Sequence, residues 1–274
     1  MKVTVMMAVY NGSEYLEECI RSVVEQTFSD FEFLIIDDGS TDETAHIIQT
    51  FKDDRIRFIS NEHNYITSLN LGLQEARGEY IARMDADDIM EPMRLEHQVE
   101  VLDSKLEIVA CMSWAKSFGK EEMNLISVSG EVQGVLEKLL VKNIFIHPTT
   151  MLRRSFLQDH QLCYKDYPYA EDYKFWVDMV ANGAKFWVIP EFLLKYRISK
   201  LQVSHQYREK QRMTTLQIKD EILLTLLNDE CNKEMGPLQK IYLIMEQMNE
   251  RGHLSADAVR YIFSILSAET KTKI

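Results

Sequence analysis

The chain is short of several things, and each shortage removes a class of protein. Basic residues are scarce: 31 Lys and Arg stand against 43 Asp and Glu in 274 residues, a formal charge of −12. So acidic a chain lacks the phosphate-neutralising surface that general nucleic-acid binding requires. Long apolar runs are missing too. No stretch without a charged residue comes near the roughly 20 apolar residues of a membrane-spanning helix, and the one close to the start runs only from Val3 to Ser13. It ends in Tyr10-Asn11-Gly12 with no cleavage-like tail, which makes a poor signal peptide. Cysteine is rare and scattered, and Cys19, Cys111, Cys163 and Cys231 form no Cys-x-x-Cys pair. That usage fits reduced thiols in a cytoplasmic protein better than a disulfide frame or a zinc site.

What is present is an ordinary globular composition, 46% hydrophobic and 27% charged. The acid excess is local: residues 1–100 carry 21 acids and 8 bases, whereas residues 101–274 carry 22 and 23. In that first third, apolar runs at 3–9, 31–36, 55–60, 79–84 and 107–112 read as strands. Between them lie segments of helical spacing. Leu16, Cys19, Ile20 and Val23 form one face, behind the acids Glu14, Glu17 and Glu18. Ser40-Thr41-Asp42-Glu43 reads as a capping box opening a helix that carries Thr44, Ile47, Ile48 and Phe51. Ile66, Leu69, Leu73 and Ala76 mark a third helix, and residues 92–104 a fourth. This alternation predicts βαβ units, a mostly parallel sheet and right-handed crossovers.

The rhythm then loosens. Residues 118–130 read as loop or hairpin, 132–141 as a short helix and 148–152 as a strand. A helix over 171–181 stops at Gly183, and a strand over 185–189 stops at Pro190. From 207 to 248 the pattern is amphipathic helix with a break at Gly236-Pro237, followed by a last helix near 255–268. The layout expected is an α/β domain over residues 1–205 with a helical C-terminal region over 206–274.

Three acidic motifs carry candidate chemistry. Asp37-Asp38-Gly39-Ser40-Thr41-Asp42 follows a strand, where parallel sheets bind ligands, and its carboxylates could take a base N–H and a ribose hydroxyl. Turn and cap chemistry alone would also explain it. Asp85-Ala86-Asp87-Asp88 occupies the same place after another strand. Three acids there repel one another, and hard oxygen ligands suit Mg2+ or Mn2+ completed by substrate phosphates. Glu171-Asp172 opens a helix, where the dipole favours the anion; it is an N-terminal acid pair or a general base for a hydroxyl.

In this order the motifs resemble the inverting glycosyltransferases of family 2, over roughly residues 1–205. The resemblance rests on Met6-Met7-Ala8-Val9-Tyr10-Asn11, Gln26-Thr27-Phe28, the segment from Asp37 to Asp42, and Gly78-Glu79-Tyr80-Ile81-Ala82-Arg83-Met84-Asp85-Ala86-Asp87-Asp88. It continues with Pro92, Arg94-Leu95, Gln98, His147-Pro148-Thr149-Thr150-Met151, Ala170-Glu171-Asp172-Tyr173-Lys174-Phe175-Trp176 and Tyr196-Arg197. It implies a Rossmann-like, glycosyltransferase-A fold, with residues 1–112 the nucleotide-sugar half and 113–205 the acceptor half. It also implies a role in bacterial surface polysaccharide synthesis, at the cytoplasmic side of the membrane.

Residue by residue, the resemblance implies that Ala8, Tyr10, Asp38, Asn70, Asp85 and Ala86 bind the nucleotide sugar. Tyr10 would lie near the base, expected to be uracil; Asp38 would bond it; and Asp85 would hold the ribose. Asp87, with Asp85, would ligate Mn2+ or Mg2+ at the diphosphate, with Asp88 nearby. Asp172 would be the catalytic base and Glu171 its neighbour. His147, Arg197 and Lys200 are candidates for acceptor or phosphate contact, and His147 reads equally well as a packed strand-entry residue. Ala8 stands where the family commonly has Pro, and Tyr65-Ile66 replaces a more usual Gly-Leu.

The implied partners are a nucleotide-sugar donor and a glycan or lipid-linked acceptor, with peripheral membrane contact and a homodimer through the C-terminal helices as further expectations. The basic stretch from Lys195 to Lys219 supports a diphosphate clamp, an anionic-lipid surface or a solvated helix face, the last favoured for residues 208–219. Trp176 and Trp187 read as core residues, and Trp114 could stack on a sugar. Two other classes compete. One is a sugar-nucleotide-binding protein without catalysis. The other is an Asp-x-Asp phosphohydrolase, whose motif normally comes earlier and continues with Thr or Val rather than Asp88.

Overall fold

The computed structural model describes residues 1–199, 207–228 and 237–259. They form two compact units, one of residues 1–133 and 144–211, the other of residues 134–143 and 212–274. The first unit is built on one mixed sheet. Its strands are β1 (Val3–Val9), β2 (Phe31–Asp37), β3 (Ile56–Ser60), β4 (Tyr80–Met84), β5 (Ile89–Met90), β6 (Ile108–Gly119), β7 (Asn124–Leu125), β8 (Gly130–Glu131), β9 (Met151–Arg153) and β10 (Lys185–Ile198). They lie in the order β3-β2-β1-β4-β9-β6-β10-β5, with β7 on β6 and β8 on β10. The block β3-β2-β1-β4 is parallel throughout, and so is the long β6–β10 pairing. The short strand β9 joins the two blocks antiparallel to both. This is the mostly parallel sheet expected.

Helices α1 (Leu16–Val24), α2 (Thr44–Thr50), α3 (Tyr65–Glu75) and α4 (Arg94–Ser104) return the chain between strands. Leu16, Cys19, Ile20 and Val23 of α1 are buried at i, i+3, i+4 and i+7, so one stripe packs on the sheet. Each such fully buried aliphatic side chain contributes about 1.5–3 kcal/mol. Val3, Val5, Met7 and Val9 of β1 face that core together with Tyr80, Ala82 and Met84 of β4. Strand alternation therefore sends Ile81 and Arg83 to the other side.

Several elements differ from the sequence reading. Helix α2 starts at Thr44 and the expected capping box is absent: Asp42 Oδ1, not Ser40, accepts the Thr44 N–H at 3.0 Å. Helix α3 instead has a cap the pattern did not announce, Asn64 Oδ1 accepting from Thr67 N at 2.9 Å. Residues 147–149 form a 3-10 turn before β9, where a strand was expected from 148. A short helix α5 (Val135–Val141) falls in the expected region, and α6 (Arg154–Asp159) follows β9 unannounced. Helix α7 (Glu171–Ala181) is as expected.

The largest difference is β10, which continues nine residues' worth of chain past the expected stop, to Ile198. Pro190 has no N–H for the ladder. The register with β6 accordingly jumps from Ile189–Ser113 to Phe192–Trp114, leaving Pro190 and Glu191 outside the pairing, and the strand then resumes. That resumption carries Tyr196 and Arg197 alongside the acidic loop after β4.

In the second unit, α8 (Arg208–Asn228) and α9 (Pro237–Glu250) supply Ile218, Ile222 and Met245 as buried residues, and α5 supplies Leu139 and Leu140. Arg208, Lys210 and Arg212 are exposed, which matches a solvated helix face, but Lys219 is a correction to that reading. It is buried, its Nζ donating to both Glu250 carboxylate oxygens at 2.7 Å and to the Val141 carbonyl at 2.9 Å. The Gly236 side of the expected break, most of the last helix and Cys231 lie outside the described residues. Cys19, Cys111 and Cys163 are free thiols.

Candidate active site

The site forms where β1, β2 and β4 end side by side. The loops after β1 and β2 are stapled rung by rung: Asn11 N to Ser40 Oγ at 2.9 Å, Thr41 N to Asn11 Oδ1 at 2.8 Å, Gly12 N to Thr44 Oγ1 at 2.9 Å and Ser13 N to Asp42 Oδ2 at 3.1 Å. Burial pushes the Asp42 carboxyl up, but the bonds from Thr44 and Ser13 outweigh it and hold the group at about 2. Gly12 leaves room for the end of β1: a Cβ there would meet Val9 Cγ2 at 2.6 Å, while Ala86 Cβ would lie at an ordinary 3.6 Å. Ala8 is buried within β1, and Tyr10 stands 46% exposed at the rim.

Asp38 is 1% exposed. Its Oδ1 accepts from Asn64 N at 2.8 Å and Ser68 Oγ at 2.5 Å, so it anchors the start of α3. Asp37 Oδ1 accepts from Ser40 N at 3.0 Å. Both carboxylates thus do turn and cap work, while Asp38 Oδ2 is buried without a hydrogen bond.

Asp85 leaves β4 on the same face as Arg83. Arg83 is 2% exposed; its Nη1 pairs with Asp85 Oδ1, and its Nη2 donates to the Tyr65 hydroxyl at 2.7 Å. Burial opposes the Arg83 charge, but Asp85 and Tyr65 together outweigh it and the guanidinium stays firmly protonated. Tyr65, one of the two departures from the family pattern, therefore supports the acidic motif through Arg83. Burial, then the Asp85 charge, pushes the Asp87 carboxyl up to about 6. Burial, then Asp85 and Asp87, pushes Asp88 up as well, and its Oδ2 is a buried oxygen with no hydrogen bond.

Among the described residues no three His, Cys, Asp or Glu side chains form a ready metal cage. A site of one or two carboxylates completed by substrate phosphates is the usual arrangement for Mg2+. The crowded acids and the unsatisfied Asp88 oxygen fit such a cation.

Arg197 is fully engaged with this loop. Its N donates to Asp88 Oδ1 at 2.8 Å, its Nε to the Asp87 carbonyl at 2.6 Å and its Nη2 to Glu18 Oε2 at 2.6 Å. Its guanidinium lies 4.1 Å from the Tyr15 ring centroid and 4.3 Å from that of Phe118. The expected phosphate contact is thus placed as a brace of the acidic loop. Lys200 lies outside the described residues.

The opposite wall begins at α7. Burial, then the Asp172 charge, pushes the Glu171 carboxyl up to about 7, with Arg83 and Asp85 close enough to act on it too. His147 Nε2 lies 2.8 Å from the Tyr164 hydroxyl, and its ring meets Trp176 edge-on at 5.7 Å. Burial first, then the Arg83 charge, holds His147 well below the usual histidine range, hence neutral. Asn70 turns both ends of its amide to the Tyr164 backbone, at 2.9 Å and 2.8 Å, and so braces this wall.

Arg94 and Gln98 lie behind the site as backbone staples. Arg94 Nη2 donates to the Arg83 carbonyl at 2.8 Å, and Gln98 Nε2 to the carbonyls of Cys111 and Thr149 at 2.9 Å and 2.8 Å. Trp176 is buried; Trp187 is partly covered by Lys105, and Trp114 Nε1 donates to Val128 O at 3.1 Å.

Sequence reasoning marked Tyr65 only as a departure from the family pattern, and it missed Arg83 as a functional side chain, His63 and the Asn70–Tyr164 pairing. The Arg83–Asp85 spacing, two residues apart on a strand, was the one local signal available.

Comparison with known proteins shows the family and the fold. The family model described as glycosyl transferase family 2 matches residues 4–161. A Haemophilus influenzae protein described as an uncharacterized glycosyltransferase is 37% identical over 82% of this chain and 74% of its own. The crystal structure of S. aureus TarS 1–349 in complex with UDP is similar with TM-score 0.67 at 22% identity, over 93% of this chain and 73% of that one. A longer TarS chain is spanned over 44% of its length. The mannosyltransferase PcManGT from Pyrobaculum calidifontis, in complex with GDP-Man and Mn2+, is similar with TM-score 0.65 at 18% identity, over 99% and 75% of the two chains. These structures, at such identities, show the fold. The family match and the Haemophilus relative show more, and they displace the phosphohydrolase reading: the chain belongs to glycosyltransferase family 2 and is a glycosyltransferase.

Proposed function

We propose that the protein transfers a sugar from a UDP-sugar to a hydroxyl of a glycan or lipid-linked acceptor, with Mn2+ or Mg2+ bound, by a single inverting displacement. The observation that carries this reading is one buried guanidinium, Arg83, shared between the acidic loop after β4 and the acid pair that opens α7. Asp85 lies against its guanidinium, and the same charge acts on Glu171 beside Asp172. The TarS complex with UDP and the PcManGT complex with GDP-Man and Mn2+ support a nucleotide-diphosphate donor and a divalent cation on this fold.

In this reading Tyr10 and Asp38 receive the base and Asp85 the ribose, with Ala8 and Ala86 lining the approach. Asp85 and Asp87 would hold the cation, whose chemistry is Lewis-acid stabilisation of the departing diphosphate. Asp172 takes the proton of the acceptor hydroxyl as its oxygen bonds to the anomeric carbon. The bond from that carbon to the diphosphate oxygen breaks on the opposite face, releasing UDP and inverting the configuration. Glu171 sets the field around Asp172, and neutral His147, locked to Tyr164, shapes the acceptor wall.

A panel of UDP-, GDP- and dTDP-sugars with Mn2+ tests the donor, and the anomeric configuration of the product tests the displacement. Retention of configuration would sink the single-displacement reading. Among the described residues no helix is long and apolar enough to cross a membrane. Peripheral attachment at a membrane face is the form proposed for its meeting with a lipid-linked acceptor. Sedimentation with liposomes containing or lacking anionic lipid tests it, and equal recovery in both would remove it.

A further inference from the structure

Three observations meet at His63. Its ring stacks on Tyr10 with centroids 3.9 Å apart and planes inclined by 28°. Its Nδ1 lies 3.0 Å from both the carbonyl oxygen and Oδ2 of Asp38. Only the carbonyl is aligned for a hydrogen bond, so Asp38 Oδ2 faces His63 buried and unsatisfied. The other oxygen, Oδ1, is fixed by Asn64 and Ser68, so the carboxylate has no freedom to turn Oδ2 elsewhere.

Gly39 makes this approach possible. Its φ is +76°, and a Cβ there would sit 3.0 Å from His63 N and 3.3 Å from His63 Cβ. The residue thus serves the seating of the 61–64 loop as well as the turn.

The proposed base contacts are an aromatic face at Tyr10 and a carboxylate acceptor at Asp38. Together they suit a planar nitrogen heterocycle with a ring N–H. His63 is such a heterocycle, and in this structure it fills that place. We infer that His63 is an internal stand-in for the donor's nucleobase, closing the Tyr10–Asp38 site and swinging aside when the base enters. The inference rests on the reading of Tyr10 and Asp38 as the base site. The His63 side chain is 57% exposed, so a rotation releases it without disturbing the core. A base with a ring N–H, as in uracil, thymine or guanine, satisfies Oδ2 where His63 does not; cytosine offers no such donor. The stand-in therefore raises the threshold for every ligand alike, while Asp38 Oδ2 itself favours N–H-bearing bases over cytosine. Competition of this kind lowers apparent affinity by the fraction of molecules in which the site is open.

Calorimetric titration of UDP, GDP, dTDP and CDP, with Mn2+, into wild type and His63→Ala decides it. The expected result is UDP binding about tenfold tighter in His63→Ala, equal to about 1.4 kcal/mol, with UDP preferred to CDP in both proteins and a Tm lowered by only a few degrees, as loss of the Tyr10 stack requires. UDP binding that is unchanged or weaker in His63→Ala overturns the inference and leaves the base-site reading standing. Failure of both proteins to bind UDP, GDP or dTDP brings down the base-site reading and the inference with it.

Discussion

The backbone N–H of Arg197 donates to Asp88 Oδ1 at 2.8 Å, joining the end of β10 to the acidic loop after β4. The two residues are 109 positions apart. The bond exists because β10 resumes beyond Pro190 and β5 pairs antiparallel with it, Met90 opposite Leu194 and Ile89 opposite Lys195. The loop that carries the proposed cation site is therefore held from both sides.

Arg197→Ala keeps that backbone bond but removes the Nε bond to Asp87 O, the Glu18 pair and the ring contacts. Charge-assisted bonds of this kind are worth about 1.5–3 kcal/mol each at most. Transfer should fall about 10- to 100-fold, mainly through weaker Mn2+–UDP binding. Arg197→Lys should rescue little, because a single ammonium cannot span the Asp87 carbonyl and Glu18 together. Calorimetry with Mn2+ and UDP checks this; full rescue by Lys would show that charge alone matters there.

Asp172→Asn should bind donor and cation normally and lose transfer by about 10²- to 10⁴-fold, the usual range for a general base. A near wild-type rate would remove Asp172 from the proposed role.

The pH dependence follows from Glu171. Its carboxyl is pushed up to about 7, so the acid pair gains its full negative charge only as pH rises past that point. Transfer should rise with pH through about 7 and level off above it. Glu171→Gln removes this titration, so the acid limb should move to lower pH. An unmoved limb would mean that another group controls it.

Asp87 ties stability to the same chemistry. Its folded pKa of about 6 lies above the ordinary value of 3.8, so its contribution favours folding below about pH 4 and is lost as pH rises through about 6. In EDTA at pH 7.5, Asp87→Asn should therefore be more stable than wild type, by about 1–3 kcal/mol. The same variant should lose most of the stabilisation that Mn2+ gives wild type. Thermal melts with EDTA or Mn2+ read both effects.

Tyr65→Phe removes the hydroxyl that orients Arg83. The loss of one bond, about 0.5–1.5 kcal/mol, should raise the donor KM several-fold and leave kcat little changed. A fall in kcat at constant KM would place Tyr65 nearer the reacting atoms than its bond to Arg83 implies.

The four strands of the parallel block and the helices between them were legible from apolar patterning: Leu16, Cys19, Ile20 and Val23 repeat at helical spacing, and β1 is an apolar run broken only by Thr4. The gathering of Asp38, Asp85 and Asp87 at one sheet edge follows from that topology. What stayed hidden is non-local. Asn70 binds the backbone of Tyr164 94 positions away, and no local pattern marks it. The extension of β10 was obscured by Pro190, which interrupts the ladder without ending the strand. Arg83 read as one letter of a family motif, and its burial against Asp85 and Tyr65 needed the third dimension. Ser40 and Asp42 were legible as polar helix-start residues, but their partners, Asn11 and Ser13, lie in another loop.

The acid excess of the first hundred residues includes the carboxylates of this site, and it would repel a diphosphate unless a cation lay between them. Titration of UDP into the protein with Mn2+ and then with EDTA measures that dependence directly. The account predicts UDP binding at least tenfold tighter with Mn2+ than with EDTA. Equal affinity in the two conditions would contradict it.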